Sequence, residues 1–377
     1  MQHFVSTLPH YRTWITFLVF LGFFTHLFAQ QSLIQNIHNR ETTTLNGYWN
    51  YIVDPYENGF YNYRYEPFEN QTHPAKGAFF TNAKREGKAD LVEYDFDKMD
   101  SLLVPGDWNT QKEKLYYYEG TVWYKKSFDY SKSKHTNRVF VHFGASNYDT
   151  DVYLNGKKLG KHLGGFTPFN FEITHLLKDE DNFLVVKVDN KRKKEAVPTL
   201  NTDWWNYGGI TRDVTLVETA ETFITDYFIQ LDPNDPTTIR GQITLDGSNR
   251  SNAKIDVNIP ELGVTKTFIS DTHGRLSFKL NAKKIRYWST TDPYLHTVHL
   301  STGNSKVTDQ IGFRTIQTSG ADILINGESI FLKGISIHEE SPIHDGRGHS
   351  AEDAKKLLEW AKELGCNYVR LAHYPHN

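Results

Sequence analysis

Near its C-terminal end the sequence places Arg370, His373, Tyr374 and His376 within seven residues of NYVRLAHYPHN, residues 367 to 377. A guanidinium is a fixed fork of donors, and an imidazole donates or accepts near neutral pH. Such a group of side chains suits the grip of a polar ligand or the movement of a proton. His338 closes ISIH and is followed by Glu339 and Glu340. Paired carboxylates could act as general acid and base, but adjacent residues on an extended chain point in opposite directions. These two read as polar loop residues. Asp203 precedes two tryptophans in DWWNYGGI, which could wall a pocket or form a packed aromatic corner. His338, His344, His349, His373 and His376 crowd the terminal segment, yet no HExxH or cysteine-containing ligand spacing accompanies them. No metal site and no cofactor are expected.

The elements that must position these residues can be read from periodicity. ILINGESIF reads as a hairpin around Asn326-Gly327, followed by the apolar strand ending at His338. Ser350 then opens SAEDAKKLLEWAKELG, with Asp353 as capping-box partner and Gly365 as the stop. Ala354, Leu357, Leu358, Ala361 and Leu364 share one face of that helix and are expected to be buried. NYVRLAH is a strand again, so the segment is a strand, helix, strand unit with parallel strands.

Upstream, RVFVHF, TDVYLNGKKLG, FLVVKVDN and DVTLVE alternate apolar and polar residues at the period of half-buried strands. Asn155-Gly156 between two such runs calls for a tight hairpin turn. Residues 56 to 100 are aromatic, polar and poorly periodic, and read as an insertion over the sandwich. Seven short strands between 225 and 313, about ten residues apart, have the pattern of an immunoglobulin-like sandwich.

The chain has 377 residues, net charge -3 and one cysteine, Cys366. It is long enough for at least two cores. The absence of a basic excess argues against nucleic acid as a partner, and Cys366 has no partner for an intramolecular disulfide. Arg12 followed by WITFLVFLGFFTHLFA predicts a signal peptide over residues 1–29, with cleavage after Ala29 and a secreted, periplasmic product without a membrane span.

Seven motifs, in order, give the chain a resemblance to glycoside hydrolase family 2, the β-galactosidases and β-glucuronidases. They are VPGDWN, YEGTVWYKKSF, VYLNGKKLGKHLGGFTPFNFEIT, DWWNYGGITRDV, IGFRTI, NGESIFLKGISIHEE and NYVRLAHYPH. The resemblance implies a mainly β chain: a jelly-roll sugar-binding domain (30–220), an immunoglobulin-like β-sandwich (221–316) and the first β-α-β of a (β/α)8 TIM barrel (317–377). It also implies hydrolysis of terminal β-D-glycosides with retention, by two glutamates at the ends of barrel strands four and seven. Both then lie beyond residue 377, so the chain is expected to be inactive alone. The missing barrel half could be encoded downstream. What remains by resemblance is substrate-binding: Asp203, His338 and His373 toward a β-linked oligosaccharide or polysaccharide fragment, and Arg370 toward the nucleophile. DWWNYGGI is closer to the glucuronidase form of its motif. The alternative is a non-catalytic carbohydrate-binding protein of the two β domains.

Overall fold

The computed structural model describes residues 33–376 apart from 75, 90–93 and 134–136. The expected signal peptide lies outside the described residues. Among the described residues no helix is long and apolar enough to cross a membrane.

The first domain is a jelly-roll sandwich. A six-stranded sheet, in the order Ser101–Val104, Gly47–Val53, Thr121–Phe128, Asn182–Asp189, Asp149–Leu154 and Lys157–Leu163, faces a four-stranded one. The latter is ordered Thr42–Thr44, Val214–Thr219, Arg138–Phe143 and Phe169–Glu172. Trp49, Val122, Val141, Phe143, Val152, Val186 and Leu216 fill the space between them. Asn155 and Gly156 turn the Asp149–Leu154 hairpin with positive φ values of 51° and 77°, the geometry that Asn-Gly tolerates. The described residues between 54 and 100 fold back over the outer face of the larger sheet. There Phe60, Phe68, Phe80 and Phe96 pack on Trp123, Tyr153 and Val185. This cover explains why every residue of Asp149–Leu154 is buried although Asp149, Thr150 and Asp151 are all polar. Its carboxylates are matched by lysines: Lys158 lies 2.9 Å from Asp151 and Lys161 2.8 Å from Asp149.

The second domain has the seven strands expected of an immunoglobulin-like sandwich, three in one sheet and four in the other. Arg275–Asn281 shows the period of two plainly, with Leu276, Phe278 and Leu280 buried between exposed neighbours.

After a three-stranded meander from Ile316 to Ile330, the strands Gly334–Ile337 and Tyr368–Leu371 pair in parallel, with Ser336 opposite Arg370. The helix Ala351–Glu363 connects them and carries the expected reciprocal Ser350–Asp353 capping box. Its apolar face departs from expectation. Ala361 is buried, but Ala354, Leu358 and Leu364 are exposed and Leu357 only half-buried. Two strands present too little sheet to cover a 13-residue helix. Cys366 is half-buried.

Candidate sugar-binding site

The motifs that stand out in sequence meet at one end of the jelly roll. Trp108 N–H donates to Gly208 O at 2.9 Å and Gly106 N–H to Ile210 O at 2.9 Å, so VPGDWN and DWWNYGGI zip together. Asn190 and Asn206 exchange side-chain to backbone bonds of 3.1 and 2.7 Å. Buried Asn109 accepts from Gly208 N–H at 2.9 Å. Gly208 is required by space: an added Cβ would lie 2.1 Å from the Trp108 ring.

This clamped loop offers Trp204 to the barrel segment. The Trp204 ring stands 5.9 Å from His338, 5.7 Å from His373 and 5.6 Å from Tyr374. The His338 and His373 rings meet edge to face at 5.3 Å. His338 Nδ1 is 3.4 Å from the Tyr374 hydroxyl. Arg370 donates to Ser336 Oγ at 3.4 Å, and its other terminal nitrogen lies 3.4 Å from His373 Nδ1. The structure therefore brings together His338, His373 and Arg370, all at or just beyond strand C-termini. Arg370 and His373 are exposed and His338 half-buried, which leaves their donors available. Asp203 is exposed one residue before Trp204. Trp205 turns away toward Tyr116 and Tyr117. Tyr207 carries the backbone carbonyl that accepts from Asn147.

Glu339 differs most from its sequence reading. It is no open loop residue: Arg212 donates to both its oxygens at 2.9 Å, and Arg347 donates to Oε2 from two nitrogens at 3.0 and 2.8 Å. Arg212 also reaches Pro375 O at 2.8 Å, and Arg347 reaches Gly165 O at 3.2 Å and Thr211 Oγ1 at 3.1 Å. Arg347 lies over the Phe166 ring, which itself stacks on Tyr374 at 3.9 Å. Burial pushes the Glu339 carboxyl up, but the charges of Arg347 and Arg212 outweigh it and hold its pKa below the ordinary glutamate value. This triad joins the first sandwich to the loop after the first barrel strand. Neither arginine is singled out by spacing or periodicity, because its partners lie 127 and 8 residues away in sequence.

Among the described residues no group of three or more His, Cys, Asp or Glu is arranged to hold a metal ion.

Two β-sandwiches leading into a parallel strand, helix, strand unit, with polar and aromatic groups gathered at the strand ends, define a modular β-sandwich and α/β-barrel protein. The chain belongs to glycosyl hydrolase family 2. Residues 43–220 match "Glycosyl hydrolases family 2, sugar binding domain", residues 222–314 match "Glycosyl hydrolases family 2", and residues 316–377 match its TIM barrel domain. A putative β-glucuronidase of Formosa agariphila is 31% identical over 302 residues, covering 74% of this chain and 35% of that protein. A β-galactosidase of Thermoanaerobacter pseudethanolicus is 29% identical, covering 76% of this chain and 41% of that one. The chain thus spans less than half the length of these two curated relatives. Among solved structures, the β-glucuronidase of Bifidobacterium dentium complexed with coumarin-3-O-glucuronide superposes with a TM-score of 0.74 at 24% identity, over 91% of this chain and 59% of that one. The Ruminococcus gnavus β-glucuronidase gives 0.72 at 23% identity, over 92% and 57%. These two likenesses establish the fold.

Proposed function

We propose that this chain grips the terminal sugar of a β-D-glucuronide or β-D-galactoside, as the sugar-holding part of a retaining family 2 glycosidase. The observation that supports this most is the convergence of Trp204 from the jelly roll with His338 and His373 from the barrel segment, ring to ring within 6 Å. An aromatic face covers the apolar side of a pyranose, while imidazole and guanidinium donors meet its hydroxyls or carboxylate. His338 and His373 are the hydroxyl donors in this reading, Asp203 an acceptor at the rim, and Arg370 the partner of a carboxylate. Glu339 is held by two arginines in the buried triad and Glu340 is exposed beside it. They are not the facing pair of carboxylates, roughly 5 Å apart, that retention needs.

Calorimetry of the chain with glucuronic acid and with galactose tests this. Binding of one of them, weakened about tenfold by His373→Ala, is expected, together with no turnover of 4-nitrophenyl β-D-glucuronide or β-D-galactoside. Absence of binding to both sugars, or affinity indifferent to His373→Ala, would overturn it. We also propose export to the periplasm, supported by Arg12 and the apolar run before Ala29. Cell fractionation with N-terminal sequencing checks it: mature protein beginning at Gln30 is expected, and an intact N-terminus on cytoplasmic protein would refute it.

A further inference from the structure

The two tryptophans of DWWNYGGI face different surroundings. Trp204 belongs to the histidine cluster, whereas the Trp205 ring stands 5.1 Å from Tyr116 and 5.7 Å from Tyr117, whose own rings meet at 4.8 Å. Tyr117 is 82% exposed and Tyr116 43%. Contiguous exposed apolar patches mark interaction sites, and these rings, which touch one another, are not on a loose loop. Buried Asn109 donates from its amide nitrogen to Leu115 O at 3.0 Å, Tyr116 O at 3.1 Å and Tyr118 O at 3.3 Å. Trp108 Nε1 donates to Tyr118 O at 3.2 Å. The same Asn109 holds Gly208 through its carbonyl oxygen, so one buried side chain ties down the loop of Tyr116 and Tyr117 and the loop of Trp205. Beyond it, Arg192 bridges the two loops by reaching Glu119 at 2.7 Å and Leu200 O at 3.5 Å.

We propose that Tyr116, Tyr117 and Trp205 form a fixed aromatic ledge that binds the second and later sugar rings of a β-linked oligosaccharide whose terminal ring occupies the histidine cluster. This rests on the terminal-sugar reading above. Three features select a saccharide as the occupant. The ledge begins one residue after the tryptophan of the cluster, since Trp204 and Trp205 are consecutive, with Cα atoms about 3.8 Å apart, although their rings face different neighbours. Its surface consists of ring faces with hydroxyl tips, which match a pyranose with apolar C–H faces and polar edges. Asp203, Glu119 and Arg192, two residues to either side or bridging the loops, supply acceptors and a donor at its rim. Rigidity fixed in advance avoids an ordering cost on binding.

The test measures the chain by calorimetry against glucuronic acid and a hyaluronan tetrasaccharide ending in β-glucuronosyl, and against galactose and lacto-N-tetraose ending in β-galactosyl. One tetrasaccharide is expected to bind at least fivefold tighter than its own terminal monosaccharide. Tyr117→Ala and Trp205→Ala should remove that gain while leaving the monosaccharide affinity unchanged, and Tyr117 is exposed enough for its truncation to leave the fold intact. Equal affinity for monosaccharide and tetrasaccharide, or a gain that survives both variants, would overturn the ledge and leave the terminal-sugar reading standing. Tetrasaccharide binding that tolerates His373→Ala but is lost in Tyr117→Ala would support the ledge and sink that reading instead. Binding of no saccharide would overturn both. A dimer dissolved by Tyr117→Ala, with no gain for either tetrasaccharide, would mean that the ledge seats a second copy and would overturn the saccharide assignment.

Discussion

Glu339 and its two arginines show how far a residue's chemistry depends on what folding brings to it. Two buried guanidinium groups share one carboxylate, so the excess charge is spread over carbonyls of Gly165, Phe166 and Pro375. Breaking such a pair strands a buried charge, which costs roughly 3–5 kcal/mol. Glu339→Gln should therefore destabilise the chain by that order in equilibrium denaturation, with amide exchange quickening first in residues 367–374. Because the folded carboxyl titrates below the ordinary value of 4.5, its stabilisation is full above that pH and is lost as the pH falls below it. Acid titration of the wild type followed by exchange should show the terminal segment loosening below about pH 4.5, and Glu339→Gln should not show that transition. In the sequence, His338, Arg370 and His373 could be placed at strand ends because the βαβ pattern is local. The triad could not, since ion pairs leave no periodicity, and neither could the role of Tyr374, which stacks on Phe166 and accepts from Glu339 N–H at 3.3 Å.

At the scale of elements, loops do the positioning and hydrogen bonds fix the loops. Gly208→Ala places a methyl group 2.1 Å from Trp108, at a site where the Asn109 and Asn190 bonds prevent retreat. A loss of roughly 1–3 kcal/mol is expected, and, more tellingly, a loss of saccharide affinity because Trp204 and Trp205 both shift. Calorimetry on the folded variant separates that effect from simple destabilisation. The hairpins at Asn155-Gly156 and Asn326-Gly327 were legible because both residues of each turn take positive φ. The helix face departs from its sequence pattern for the converse reason. Its 3.6-residue pattern promises an apolar stripe, but how much of the stripe is covered depends on the sheet beneath, here only Gly334–Ile337 and Tyr368–Leu371. Leu358→Gln and Leu364→Gln are accordingly expected to leave thermal stability nearly unchanged and to raise solubility, as both side chains already lie in water at 49% and 73% exposure.

For the molecule as a whole, stability should depend on pH well inside the range that leaves carboxylates ionised. His142 is 7% exposed on the Arg138–Phe143 strand, and burial, helped by the charge of His38, lowers its pKa to about 4. The native state keeps it neutral, whereas the unfolded chain protonates it near 6.5. Its contribution is intact above that value and declines as the pH falls from 6.5 toward 4, by roughly 3 kcal/mol in full. Urea denaturation at pH 7.5 and 5 should reveal the difference, and His142→Asn should flatten it. The order of domains was readable from strand spacing and motifs. An insertion over the sandwich was readable too, but that it covers Asp149–Leu154 was not, because the covering segment has no period of its own.

The Arg212–Glu339–Arg347 contact also limits how the parts of this protein can be recombined. A jelly roll grafted from a relative onto this barrel segment would have to supply an arginine where Arg212 stands and carbonyls where Gly165 and Phe166 present theirs. Otherwise Glu339 and Arg347 would be left facing a partner that does not answer them. The domains look separable along the chain, yet this contact ties the first of them to the barrel segment.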